Sequence, residues 1–372
     1  MSAKLSPARD QLLFTPGPLT TSLSVKEAML HDAGSWHEDF NRVVADIRER
    51  LLGIAGVSRE SGWESILLQG SGTFAVEAVF QTCVPHDGKV AVMTNGAYGD
   101  RMIDMLRMAR IDHTVLRRAE HEPILPADVD QLLSSEPSVT HVALVHCETT
   151  TGILNPLQEI GPVVRKHKKV LIVDAMSSFG GIPIDLEACG VDFLVSSANK
   201  CLEGVPGFAF VLCRRAILER SAGTARSLSL DLLGQLRGFE KNGQFRFTPP
   251  THTLLAFQQA LKELDLEGGI RARADRYRRN HEVLMSGTGR LGLRAFLPPL
   301  VQSNIITAFH YPDTPRFSFP GLYQGLSDRG FIIYPGKLTR VNTFRIGTIG
   351  RLFPADIEQL VHAMRLCLEE MR

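Results

Sequence analysis

The stretch Val170-Leu171-Ile172-Val173-Asp174 decides the fold, because it is a strand-length apolar run that ends in a carboxylate. A continuous apolar run, without alternating polar residues, is typical of a strand buried on both faces of a parallel sheet. Ligands of open α/β sheets bind beyond the carboxyl ends of such strands, so Asp174 lies where a ligand site is expected. Taken alone, Asp174 is equally well explained as a turn or cap residue.

Similar short apolar runs, bounded by Gly, Asp, Asn or Pro, occur on both sides of this stretch. They lie at 66–68, 90–93, 142–145, 193–195 and 208–212, and helical patterns lie between them at 73–83, 98–109 and 155–167. Alternating strand and helix segments predict a wound α/β domain with a mainly parallel sheet.

The pattern changes after about Thr251, where a helical stretch at 254–266 leads into a very basic helix at 270–284. Strand-like segments follow at 305–309, 331–334 and 344–346, with a helix at 321–329 and a closing helix from Pro354. We therefore predict a large α/β domain at 18–254 and a small α+β domain at 255–372, with segment 1–17 packing near the active site. The basic helix is expected to present a solvated face, since the formal net charge is only +1.

Composition excludes several classes of protein. With 44% hydrophobic and 22% charged residues, the 372-residue chain has an ordinary globular balance. The six cysteines form no C-x-x-C pair and no metal-ligand spacing, which predicts reduced thiols and no metal site. No apolar leader segment or bilayer-length run is present. We expect a cytoplasmic protein that binds neither nucleic acid nor membrane.

Three further features point to ligand chemistry. The turn Gly70-Ser71-Gly72-Thr73 begins a predicted helix, where free backbone N–H groups form a natural phosphate cradle. Lys200 follows the run at 193–195 in a loop of small residues, and a semi-buried amine there can lose its proton and form an imine. Arg345, between Phe344 and Ile346, carries a planar fork suited to a carboxylate or phosphonate. Alone, these features also fit an ordinary turn, a surface lysine and a structural ion pair.

Together, the order of these four features resembles that of pyridoxal 5'-phosphate (PLP) enzymes with the aspartate-aminotransferase fold. The interval from Asp174 to Lys200 resembles the class V aminotransferases, and within that class the branch that acts on 2-aminoethylphosphonate and pyruvate. The matching segments are 13–21, 70–73, 174–183, 196–201, 227–232, 245–252 and 334–337. The resemblance implies a PLP-dependent transferase fold (fold type I) with a mainly parallel seven-stranded sheet in the large domain and a smaller α+β C-terminal domain.

The resemblance also implies roles for individual residues around the cofactor. Lys200 would bind PLP covalently and move the substrate proton, while Asp174 would pair with the ring nitrogen. Tyr98 would stack on the ring and Thr149 would bond its hydroxyl. The phosphate would be held by a larger group, namely Ser71, Gly72, Thr73, Ser197, Asn199 and Thr248.

Further implied roles concern the substrate and the partner subunit. Arg345 would bind the substrate anion, and the loop that contains Thr15 and Gly17 would line the same pocket. Thr248 would reach the phosphate of the neighbouring subunit, so the enzyme would be a homodimer with shared active sites. Pro249 stands where the family often has Ser, and a proline cannot donate a backbone N–H there.

The implied reaction is transamination of 2-aminoethylphosphonate with pyruvate to phosphonoacetaldehyde and L-alanine, in phosphonate degradation. The main alternative is a serine– or alanine–glyoxylate aminotransferase of the same class. A cysteine desulfurase is disfavoured because Cys367 falls inside the closing helix instead of a loop. A regulator of the PLP fold would carry a DNA-binding domain, and we expect none because the family pattern begins near residue 12.

Overall fold

The computed structural model describes residues 10–339 and 341–371. The strands are β1 Leu12–Leu13, β2 Trp63–Gln69, β3 Lys89–Thr94, β4 Asp112–Arg117, β5 His141–Val145, β6 Cys147–Glu148, β7 Ile153–Leu154, β8 Val170–Asp174, β9 Phe193–Ser197, β10 Phe208–Arg214, β11 Ile306–His310, β12 Phe331–Ile332, β13 Tyr334–Pro335 and β14 Thr343–Gly347. The helices are α1 Leu23–Glu27, α2 Glu38–Ile54, α3 Gly72–Cys83, α4 Ala97–Met108, α5 Pro126–Ser135, α6 Leu157–Lys166, α7 Arg215–Glu219, α8 Leu232–Asn242, α9 Thr251–Glu267, α10 Gly269–Arg290, α11 Phe319–Asp328 and α12 Pro354–Glu370, with a 3-10 turn at Ala28–Leu30.

A seven-stranded sheet in the order β2-β10-β9-β8-β5-β3-β4 forms the centre of the molecule. Only β10 runs antiparallel to its neighbours, so the predicted mainly parallel sheet is confirmed. The sequence did not predict β4, which has mostly partly exposed residues. β4 lies at the sheet edge and pairs with β3 alone, so it does not need the continuous apolar run that marks a central strand.

The carboxyl ends of the parallel strands meet at one edge of this sheet, and that edge positions the site. Asp174 is the last residue of β8, and Ser197 is the last residue of the neighbouring β9. Lys200 follows β9 by three residues, while Thr149 follows β6, which continues from the region of β5. Parallel pairing therefore gathers residues that lie far apart in the chain.

The C-terminal part has its own sheet and core. Strands β11, β14 and β13 form a three-stranded antiparallel sheet, and Phe309, Phe344 and Ile346 belong to a second buried cluster with residues of α12. Strand β1 pairs in parallel with β12, so the N-terminal segment joins this part. Residues 1–9 of the predicted segment 1–17 lie outside the described residues. No helix of the described chain is long and apolar enough to cross a membrane.

The predicted domain division remains a prediction. Helix α9 continues across the boundary at 254/255, and its Leu254 and Phe257 pack in the cluster around the central sheet.

The basic helix α10 is less exposed to solvent than predicted. Arg273 and Arg276 are buried, and both donate hydrogen bonds to the Glu267 carboxylate. Arg276 also forms an ion pair with Glu203 at 2.6 Å. The prediction is wrong for these two arginines, because α10 packs on the loop after Lys200 and paired carboxylates make buried guanidinium groups tolerable. Arg278 does lie on an exposed face.

Candidate active site

A cavity of about 180 Å³ opens at the carboxyl edge of the central sheet. It brings together most of the residues that the sequence singled out, which are Ser71, Gly72, Thr73, Tyr98, Thr149, Asp174, Ser197, Asn199 and Lys200. Residues 71 to 200 of the chain thus converge on one space, as the order of the sequence features predicted.

Lys200 is partly buried, and its amino group is enclosed by the N-terminal loop. Nζ donates a hydrogen bond to the Pro16 carbonyl at 2.8 Å. A Cβ atom on Gly17 would lie 2.7 Å from both the Asn199 carbonyl oxygen and Lys200 Cδ, and Gly17 has φ +111°. Glycine is therefore required for the loop to close over the lysine.

The surroundings of Lys200 lower the pKa of its amino group and so raise the fraction of neutral amine. Burial lowers its pKa to about 8, the cations Arg345 and Arg101 add to this lowering, and the Asp174 carboxylate opposes it. A neutral amine near physiological pH can act as a nucleophile or as a general base.

Asp174 is a buried carboxylate that faces the cavity. Its Oδ1 accepts a hydrogen bond from the Met176 backbone N–H at 2.9 Å. Burial raises the pKa of Asp174 to about 6, and the nearby Glu148 carboxylate contributes to the rise. A cationic ring N–H in the cavity would stabilise the ionised form, so the Asp174 position fits the pyridinium group of PLP.

The start of α3 offers unused donors for a phosphate. Ser71 is the N-cap residue of this helix, and its side chain makes no capping hydrogen bond. Within residues 10–339 and 341–371, the backbone N–H groups of Gly72 and Thr73 have no hydrogen-bond acceptor. Such free donors at the positive end of a helix suit a phosphate dianion. Arg101 Nη1 lies 3.2 Å from Thr73 Oγ1 and adds a cation to the cradle.

Tyr98 is held at the start of α4 by a carboxylate that the sequence did not reveal. Glu148 is fully buried and accepts backbone hydrogen bonds from Tyr98 at 3.2 Å and Gly99 at 3.3 Å. Burial raises the pKa of Glu148, while these hydrogen bonds oppose the rise. The neighbouring Thr149 hydroxyl shares a 2.7 Å hydrogen bond with Ser177. Glu148 therefore links the Thr149 segment to the N-terminus of α4.

Arg345 reaches this region from the C-terminal sheet. Its Nε donates to the Pro335 carbonyl at 3.0 Å, and Nη1 donates to the Thr149 carbonyl at 2.9 Å. It forms no ion pair with any carboxylate in the described part of the chain, so the structural ion pair is not observed. Burial lowers the pKa of Arg345.

Two predicted site residues, Thr248 and Thr15, do not line the cavity of their own chain. Thr248 is exposed and lies outside the cavity, and its carbonyl accepts a hydrogen bond from Gln69 Nε2 at 3.0 Å. The Thr15 hydroxyl donates to the Pro18 carbonyl, so it shapes the loop instead of offering a free donor.

The sequence reading missed Arg101, Met176 and Ser177, which line the cavity. Arg101 could have been found, because it follows Tyr98 by three residues on α4 and so lies on the same helix face. Met176 and Ser177 directly follow Asp174, but no side-chain chemistry singled them out.

The chain is similar to known sequences over nearly its whole length. The sequence profile of the family described as Aminotransferase class-V matches residues 25–311. A 2-aminoethylphosphonate–pyruvate transaminase of Syntrophobacter fumaroxidans is 52% identical over 98% of this chain and 98% of its own length. Another protein with the same name, from Pseudomonas aeruginosa, is 50% identical over 98% of this chain and 97% of its own.

Solved structures share the whole fold. An alanine–glyoxylate aminotransferase from Nostoc sp. superimposes with a TM-score of 0.87 at 26% identity, covering 98% of this chain and 97% of its own. A pyridoxamine–pyruvate aminotransferase from Mesorhizobium loti gives a TM-score of 0.89 at 22% identity, with coverage of 99% and 94%, which shows the fold alone.

Proposed function

The chain belongs to the class-V aminotransferase family, and from that membership we propose that it transfers the amino group of 2-aminoethylphosphonate to pyruvate. The products are phosphonoacetaldehyde and L-alanine. The observation that carries the proposal is the near full-length identity of about half to transaminases of that name. The serine– or alanine–glyoxylate alternative is not favoured, because the alanine–glyoxylate enzyme is only 26% identical.

The family implies PLP as the cofactor, and the cavity has groups suited to each of its parts. Asp174 would hold the ring nitrogen, Thr149 the ring hydroxyl, and the free amides of Gly72 and Thr73 the phosphate. The bound cofactor supplies an electron sink for the bond that breaks at the substrate carbon. Ser71, Ser197 and Asn199 would complete the phosphate site.

Lys200 would be the catalytic base. A lowered pKa, to about 8, keeps a substantial neutral fraction available near physiological pH, so the amine can take the proton from the carbon that bears the substrate nitrogen. The Pro16 carbonyl 2.8 Å from Nζ orients the amine while it is not bonded elsewhere.

Arg345 would bind the anionic end of both substrates. Its two terminal nitrogens retain donors after the contacts with Pro335 and Thr149 are counted. A guanidinium group can hold either a carboxylate or a phosphonate. Gly17 would line the same pocket by allowing the N-terminal loop to approach Lys200.

We also propose that the active enzyme is a homodimer and that Thr248 completes the phosphate site of the partner subunit. Phe74 directly follows Thr73, Phe247 directly precedes Thr248, and both aromatic rings are exposed. Leu30 and Trp36 are exposed as well. Exposed apolar side chains next to residues of a ligand site support a protein interface there. A cytoplasmic location is proposed too, supported by six cysteines that are all free and buried.

The test is a titration of the purified holoenzyme with 2-aminoethylphosphonate and, separately, with alanine and serine. We expect loss of the visible absorbance band of the bound cofactor with 2-aminoethylphosphonate and with alanine, and recovery of the band when pyruvate is added. A band that responds to serine but not to 2-aminoethylphosphonate would overturn the proposed substrate.

A further inference from the structure

Three cations surround the ring of Tyr98 at the cavity. Lys337 Nζ lies 4.5 Å and Arg101 Cζ 4.8 Å from the Tyr98 ring centroid, within the range of cation–π contacts. Arg345 is close enough to both Tyr98 and Lys337 for its positive charge to act on the pKa of each, in the lowering direction. Among the described residues, no carboxylate lies within ion-pair distance of any of the three cations. This positive charge is therefore available to a ligand.

The three cations come from two parts of the chain, Arg101 from α4 and the other two from the C-terminal sheet region. Arg101 lines the cavity and contacts the Thr73 hydroxyl, so it belongs with the phosphate cradle. Lys337 does not line that cavity and follows β13, the strand that pairs with β14 and so with Arg345. Lys337 thus follows the strand that pairs with the Arg345 strand, and it lies over the Tyr98 ring near both Arg101 and Arg345.

The backbone around Lys337 is built for close approach to the strand that carries Arg345. Gly336 N donates to the Thr343 carbonyl at 2.9 Å, and a Cβ atom on Gly336 would lie only 2.2 Å from that oxygen. The Pro335 carbonyl accepts from Arg345 Nε. Hydrogen bonds therefore hold residues 335 and 336 against the strand and side chain of Arg345. Lys337, the next residue, lies in the same region.

The donors of Arg345 suffice for a carboxylate but not for a phosphonate. Two of its five N–H groups are used by the Pro335 and Thr149 carbonyls, the Tyr98 hydroxyl also hydrogen-bonds to the guanidinium, and the remaining donors lie on Nη1 and Nη2. These can engage two oxygens. Like a phosphate monoester, a phosphonate carries a charge of about −1.5 to −2 at pH 7 and three acceptor oxygens. One oxygen and close to one charge would remain unpaired, which is costly in a partly desolvated site.

We propose that Lys337 supplies the second cation that this site needs to recognise a phosphonate, acting beside Arg345, an inference that rests on the proposed function. Lys337 is exposed and held over an aromatic ring, so its ammonium can turn to a third phosphonate oxygen without breaking an ion pair. The carboxylate of pyruvate or alanine is fully served by Arg345 alone. Lys337 is thus a specificity-determining residue for the phosphonate half-reaction.

The experiment compares Lys337→Gln with the wild-type holoenzyme in two separate half-reactions, followed by cofactor absorbance. For 2-aminoethylphosphonate, we expect kcat/KM to fall by about tenfold or more, the value of one charge-assisted hydrogen bond. For alanine, a change of less than about threefold is expected, since its single charge does not use Lys337. Lys337→Arg should restore most of the phosphonate reaction because it keeps the charge. Lys262→Gln, an exposed site on α9, is the matched surface control.

A binding measurement separates recognition from turnover. Calorimetry with ethylphosphonate and with propionate, which lack the amino group, should show that Lys337→Gln weakens ethylphosphonate about tenfold and propionate hardly at all. Equal loss for both ligands, or no loss for ethylphosphonate, would overturn the role of Lys337. If wild-type enzyme fails to react with 2-aminoethylphosphonate, the proposed function is what fails.

Discussion

At the scale of single residues, Lys200 has the clearest electrostatic signature. Its amino group is enclosed beneath the Pro16–Gly17 peptide, and burial lowers its pKa to about 8. The shift has a direct consequence for reactivity, because the neutral amine is the form that attacks an aldehyde.

Covalent capture of PLP by the cofactor-free protein should therefore depend on pH in a defined way. Because the lysine pKa is lowered, the neutral form appears as pH rises through about 8, and the capture rate should level off above that value. An ordinary lysine would give a rate that keeps rising to about pH 10. Stopped-flow absorbance measures the rate, and Lys200→Ala, which cannot form the bond, provides the baseline. A midpoint near that of free lysine would contradict the expected burial effect.

Arg345→Ala should weaken both half-reactions, because one guanidinium is proposed to bind both the phosphonate and the carboxylate. The loss in each kcat/KM should correspond to about 2 kcal/mol, as for a hydrogen bond to a charged group. The kcat/KM of Arg345→Lys should lie between those of the wild type and Arg345→Ala, since lysine keeps the charge but loses the planar fork. Single-turnover kinetics with each substrate measures the effect. Impairment of the pyruvate half-reaction alone would mean that the two anions do not share this residue.

At the scale of elements, helix α10 supports the loop that carries Lys200. Arg273 Nη1 donates to the Cys201 carbonyl at 2.7 Å, and Tyr277 donates to Glu203 at 2.6 Å. The two acceptor residues, Cys201 and Glu203, follow Lys200 by one and three positions. The helix thereby joins the C-terminal part of the chain to the catalytic loop.

Arg276→Met should destabilise the protein by about 3 kcal/mol or more, because it leaves the buried Glu203 carboxylate without its closest cation. Arg278→Met on the exposed face of the same helix is the matched control and should change stability by no more than about 0.5 kcal/mol. Denaturant unfolding of the two variants measures the difference. Equal and small effects would show that the buried network contributes little.

At the scale of the whole molecule, the proposed dimer implies a cofactor contact that a single chain cannot make. Thr248 lies outside the cavity of its own chain, so its proposed phosphate contact requires a second subunit. Thr248→Ala should lower the affinity for PLP by about tenfold, as expected for a lost hydrogen bond to a charged group.

Mixed dimers of Lys200→Ala and Thr248→Ala subunits test whether the contact crosses the interface. If it does, one site of each mixed dimer carries both changes and the other carries neither, so activity at limiting PLP should recover. If Thr248 acts within its own chain, every site carries one defect and no recovery occurs. Size-exclusion chromatography with light scattering verifies that mixed dimers form.

The sequence by itself determined the architecture and predicted most of the polar residues that line the candidate cavity. Continuous apolar runs marked the six strands of the central sheet other than β4, whose residues are almost all buried, and the order of Ser71–Thr73, Asp174, Lys200 and Arg345 matched that of a known enzyme class. Strand β4 was not predicted, because a partly exposed edge strand does not need a continuous apolar run.

Only the tertiary structure decided which charges are buried and which are free. Sequence could not distinguish Arg276, buried against Glu203, from Arg278 on the exposed face, because burial depends on what packs across the helix. It could not show Glu148 at the start of α4, or Lys337 over the ring of Tyr98. These contacts join segments between about 50 and 240 positions apart, and side-chain spacing along a helix or strand carries information only about near neighbours.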